Sequence, residues 1–146
     1  MLETASVTAG GALTAATPIP LMDWERYVAL LAGDILREQS PRALLACRAR
    51  LYELLVNCVP ADTIMKRLAA FLVAPPTDGA ATAGGAGGAA GKALAEETRH
   101  EVVHWAAFYE HRLQLGNKEL FHLEAFCAKV MAVIRTGPTM PPGPRA

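Results

Sequence analysis

One run in the sequence has the spacing of a catalytic metal site: His100-Glu101-Val102-Val103-His104. On a helix, histidines at i and i+4 share one face, where they can bind a zinc ion while the glutamate acts as general base. A catalytic zinc also needs a third protein ligand. The extended pattern would put glycine at 107 and histidine at 110, but the chain has Ala107 and Glu110, with His111 one position late. Glu124 is a distant acidic alternative, and little folded chain follows the motif from which to build a substrate cleft. The spacing therefore favours two histidines on a solvated helix face, with a small zinc hydrolase using His100, Glu101 and His104 as the rival.

Gly91-Lys92 closes a glycine-rich run and invites comparison with a phosphate loop, in which glycines let amides face phosphates and a final hydroxyl binds magnesium. Ala86 stands where the first glycine belongs, Ala93 replaces the hydroxyl residue, and no strand precedes the run. It reads as low-complexity linker. Arg48, Arg50, Lys66 and Arg67 are spread over two predicted helices among Glu53 and Asp62, which favours ion pairs and solvated faces over a basic patch. Ser6 and Ser40 are the only serines, so no serine triad can be argued. Cys47, Cys58 and Cys127 form no CxxC and sit in apolar helical patterns, as buried thiols of a reducing compartment would.

Fourteen basic residues balance fourteen acidic ones, leaving no net field to draw the chain onto nucleic acid or an anionic membrane. No apolar run approaches the roughly 18 residues that span a bilayer. The first 20 residues lack a basic segment ahead of an apolar core, so a signal peptide is not expected and the protein should be intracellular and soluble.

The elements that hold these residues are all helical, and five are predicted. The first, 21–39, carries Trp24, Val28, Leu31 and Ile35 on one face, with Asp23 to cap or charge its first turn. Ser40-Pro41 ends it and starts the second, 41–58, with an apolar stripe of Leu44, Cys47, Leu51, Leu54, Leu55 and Cys58. The third begins near Pro60 and carries Ile64, Met65, Leu68, Phe71 and Leu72. Residues 74–92 have no periodicity and few large side chains, so a flexible insertion is expected. The fourth, 93–115, places Val102, Trp105, Tyr109 and Leu113 together and ends at Gly116, a natural left-handed cap. Asn117 can start the fifth, Lys118 to about Arg135, which is apolar around most of its circumference; this suggests cover on more than one side and favours a partner. Residues 136–146 should be a disordered Pro/Gly tail.

Two blocks carry a family resemblance. Arg50-Leu51-Tyr52-Glu53-Leu54-Leu55, continuing through Asn57-Cys58-Val59-Pro60 to Ile64-Met65-Lys66, is the first. Tyr109-Glu110-His111-Arg112-Leu113-Gln114-Leu115-Gly116-Asn117-Lys118, continuing through His122-Leu123-Glu124-Ala125-Phe126, is the second. Together, and in that order, they resemble the C-terminal domain of the replication factor C subunit 3 family. The resemblance covers 21–134 apart from the insertion, and residues 1–20 are similar to a remnant of the preceding AAA+ lid helix and its linker.

The resemblance implies an all-α, five-helix clamp-loader collar over residues 21–135, an oligomerisation domain that packs beside the other replication factor C subunits in a hetero-pentamer. The whole complex would load the sliding clamp onto primer–template DNA in nuclear replication and repair. Phosphate loop, magnesium-binding acidic motif and arginine finger have no counterpart in these residues. The chain is thus expected to be a fragment or truncated product with no catalysis, cofactor or metal of its own. Tyr109, Arg112, Phe121 and Phe126, near the turn between the last two helices, are the interface candidates, since aromatic and arginine side chains suit interface centres. A stand-alone helical adaptor is the further alternative.

Overall fold

The computed structural model describes residues 21–74 and 94–137, with the isolated positions Glu3, Val7, Gly10 and Gly11. The remnant expected over 1–20 is thus mostly outside the described residues, as are the Ala/Gly insertion beyond Ala74 and the tail beyond Gly137. Among the described residues the regular structure is five helices: α1 (Asp23–Arg37), α2 (Pro41–Val56), α3 (Ala61–Val73), α4 (Glu96–Leu115) and α5 (Glu119–Thr136).

Local chemistry sets the boundaries. The Glu25 carboxylate accepts the Met22 N–H at 3.0 Å and closes the start of α1, where Asp23 also lies. Ser40 Oγ accepts the Ala43 N–H at 3.1 Å with Pro41 just inside α2. The end of α2 is a Schellman motif, with the Cys58 N–H bonded to Leu55 O at 3.0 Å and the Val59 N–H to Leu54 O at 3.1 Å. Cys58 takes the left-handed position, φ 59°, which glycine usually fills. It lies beyond the helix, exposed, and not on the buried stripe of α2 where the sequence pattern put it.

Gly116 departs from expectation in the opposite sense. Its backbone is extended (φ −106°, ψ 151°), so it is not a left-handed cap. A Cβ there would stand 2.3 Å from His122 Nε2, so any side chain would require the imidazole to move aside. Nor does Asn117 start the last helix, whose cap position is Lys118, and α5 continues through Thr136, one residue into the segment assigned to the tail.

The core is one cluster drawn from all five helices. Val28, Leu31 and Ile35 of α1, Leu51 of α2, Ile64 and Leu68 of α3 and Val102 of α4 are fully enclosed. So are Leu123, Phe126, Cys127 and Val130 of α5, which packs against each of the other four helices. Most of its apolar circumference is consumed inside the domain, as suits a central helix, while Phe121 near its start stays half exposed. Burial pushes the Cys47 thiol up to about 11 and raises that of Cys127 as well.

Polar ties fix how the helices sit around this core. Tyr27 donates to Glu53, and Arg50 meets Asp34 at 2.8 Å, both joining α1 to α2. Arg67 pairs with Glu25, Lys66 with Glu110 at 3.1 Å, and Arg48 with Glu124 at 3.7 Å. The four cations that might have formed a basic patch are all engaged with carboxylates.

Candidate assembly surface

The HExxH residues divide between two environments. His100 and His104 are exposed, whereas Glu101 is 2% exposed and accepts the Trp105 indole N–H at 3.3 Å. Among the described residues no group of three or more His, Cys, Asp or Glu side chains could hold a metal ion. The buried carboxylate works as an acceptor within α4, and His104 packs edge-on against Trp105. Gly91 and Lys92 lie outside the described residues. No described helix is long and apolar enough to cross a membrane.

What the fold does assemble is an aromatic and cationic face along the α4–α5 pair. Trp105 and Phe108 meet at 5.6 Å between ring centroids, Phe108 and Tyr109 at 5.2 Å, and Tyr109 and Phe126 at 6.4 Å. Arg112 lies over the Phe108 ring, Lys118 over Phe121 and Lys129 over Trp105. Phe108, Leu115 and Phe121 remain 42%, 74% and 50% exposed. Three large apolar side chains left this open on neighbouring helices exceed the scattered exposures of an ordinary surface.

Three of the four residues singled out in the sequence belong to this face. Arg112 and Phe121 are exposed and Tyr109 is half-buried. Phe126 is corrected: at 0% exposure it has no surface to offer a partner and instead supports Tyr109 from below. Its spacing could not separate these roles, because an aromatic residue reads alike whether it faces core or partner.

A second apolar surface escaped the sequence reading. Leu45, Tyr52 and Val56 of α2 are 64%, 60% and 63% exposed, and Ala49 continues their stripe. Leu45, Arg48, Ala49, Tyr52, Glu53 and Leu120 line an open, largely apolar groove of about 480 Å³. The signal was present: 45, 49, 52 and 56 stand at i, i+4, i+7 and i+11, a second helical stripe beside the buried one.

A family model described as "Replication factor C subunit 3, C-terminal domain" matches residues 24–83 and 89–137. The chain belongs to this family. It is 46% identical to Replication factor C subunit 3 of Arabidopsis thaliana over 114 residues, which are 78% of this chain and 27% of that protein. With Replication factor C subunit 5 of Oryza sativa it shares 45% identity over 116 residues, 80% of the chain and 28% of the relative. The human Replication factor C subunit 3 is 43% identical over 122 residues, 84% and 29% respectively. The chain therefore spans under a third of the length of these relatives, and the region shared with the replication factor C family is the helical domain that carries both apolar surfaces.

Proposed function

We propose that this chain is the assembly module of a replication factor C subunit, docking side by side with other subunits of a hetero-pentameric clamp loader. Its role is positional: oligomerised collars set the spacing of attached ATPase modules, which load the sliding clamp onto primer–template DNA in the nucleus. The helical domain itself contributes no chemical step. The observation that carries this reading is the α4–α5 face, where Phe108, Arg112, Leu115 and Phe121 stand open on a domain of this family. Such a surface suits a permanent partner better than solvent.

The test is co-purification of the tagged chain with the other four replication factor C subunits. The wild-type chain is expected to join them. Tyr109→Ala combined with Arg112→Ala should lower recovery roughly tenfold, as loss of an interface anchor does. Because Tyr109 is half-buried, Phe121→Ala serves as a second variant that leaves the core intact. A folded wild-type chain that joins none of the subunits would overturn the proposal.

A further inference from the structure

The cations of the α4–α5 face are set apart by combining a ring contact with the lack of a carboxylate partner among the described residues. Arg48, Arg50, Lys66 and Arg67 each meet a carboxylate, but Arg112, Lys118 and Lys129 have no carboxylate partner among the described residues. They rest on aromatic rings instead, at 5.6 Å from Phe108, 5.5 Å from Phe121 and 4.3 Å from Trp105. The three pairs share one surface. Trp105, Phe108 and Arg112 stand at i, i+3 and i+7 on α4, and Lys118, Phe121, Ala125 and Lys129 at i, i+3, i+7 and i+11 on α5. The turn at Gly116-Asn117 joins these stripes at one end, and the Lys129–Trp105 contact joins them at the other.

Any partner that covers Phe108 and Phe121 also takes these cations out of water, and a buried cation without a counter-charge is costly. A contact with a ring satisfies only part of a guanidinium or ammonium group. The remaining N–H donors need acceptors from whatever covers the face. Resting on the assembly reading above, we infer that the surface received here is an acidic protein surface, presenting Asp or Glu side chains around a small apolar centre. A nucleic-acid strand would supply negative charge as well, but it draws affinity from bases stacked on open ring faces. Here one face of each of Trp105, Phe108 and Phe121 already carries a cation, which leaves less ring surface for stacked bases.

The test uses the full chain co-expressed with the other four replication factor C subunits. Recovery of wild type should fall about tenfold when salt is raised from about 0.1 M to about 0.5 M, since charge pairs at an interface rim are screened. Arg112→Glu combined with Lys129→Glu should lower low-salt recovery at least tenfold, whereas Arg112→Lys with Lys129→Arg retains most of it. Lys118→Glu, at an exposed helix end, gives a second reversal that leaves the core untouched. Recovery that is insensitive to both salt and charge reversal, while Phe121→Ala still abolishes it, would overturn the acidic partner and leave the assembly reading standing. Reversal that spares assembly but removes retention on a single-stranded oligonucleotide would assign the face to a polyanion and overturn the inference. If the wild-type chain joins no subunit, the assembly reading falls and this inference falls with it.

Discussion

Cys58 shows how one residue can be misplaced by a pattern that is otherwise correct. It falls on the apolar period of α2 and so reads as core, but the helix has ended by then and the chain has turned into a left-handed residue. The motif needs its backbone conformation; the exposed thiol adds only a long, weak donation to Val56 O at 3.9 Å. For a residue with a Cβ, the left-handed conformation costs roughly 1 kcal/mol more than it does for glycine, although glycine also loses more entropy on folding. Cys58→Gly should therefore stabilise the domain by about 0.5 to 1 kcal/mol, read as a higher urea midpoint with an unchanged slope. Cys58→Ser keeps the strained backbone and should leave the midpoint where it is. Gly116 is the complementary lesson: sequence marks the glycine, but only the structure shows that a side chain there would have to displace the His122 imidazole.

At the level of elements, all five helices were legible, because each carries a period of core residues, and the sharpest boundary, Ser40-Pro41, is written in side chains. What one sequence could not supply was the identity of the neighbour each face meets. The apolar circumference of α5 suggested an external partner; most of it is used by the other four helices and, of its large apolar side chains, only Phe121 is left half exposed, while the second stripe of α2 stays uncovered. Tertiary ion pairs were legible only as a class. Arg67 could be read as paired, but not as the partner of Glu25, 42 residues away and nearly enclosed. Removing that guanidinium leaves a buried carboxylate with the Met22 N–H still bound to it. Arg67→Ala should accordingly cost roughly 2 to 3 kcal/mol by chemical unfolding, somewhat below a fully buried pair because Arg67 is partly open to solvent. Glu25→Gln in the same background should recover part of the loss, since it removes the unpaired charge. Equal stability of the two variants would mean that Arg67 acts mainly by packing on Phe71, over whose ring it lies.

At the level of the whole molecule, the domain presents two unlike apolar surfaces, the aromatic and cationic face of α4–α5 and the aliphatic groove along α2. Both α2 and α4 pack on the central α5, with little or no contact between themselves, and the two surfaces approach each other at the start of α5, where Leu120 lines the groove and Phe121 belongs to the aromatic face. The proposed place in a ring of non-identical subunits would use this asymmetry, because each junction there would be heterologous and join one kind of face to another. If the assembly role is correct, Leu45→Lys with Val56→Lys should break contact with one neighbouring subunit and spare the other. The α4–α5 charge reversal should have the converse effect. Both α2 positions are exposed, so the substitutions should leave thermal stability nearly unchanged and make the isolated chain less prone to self-associate. Pairwise co-purification with each of the other subunits separates the possibilities. Loss of different neighbours assigns each junction to its face. Loss of the same neighbour from both variants would mean that a single partner spans both surfaces, and retention of every neighbour after the α2 change would remove the groove from the assembly.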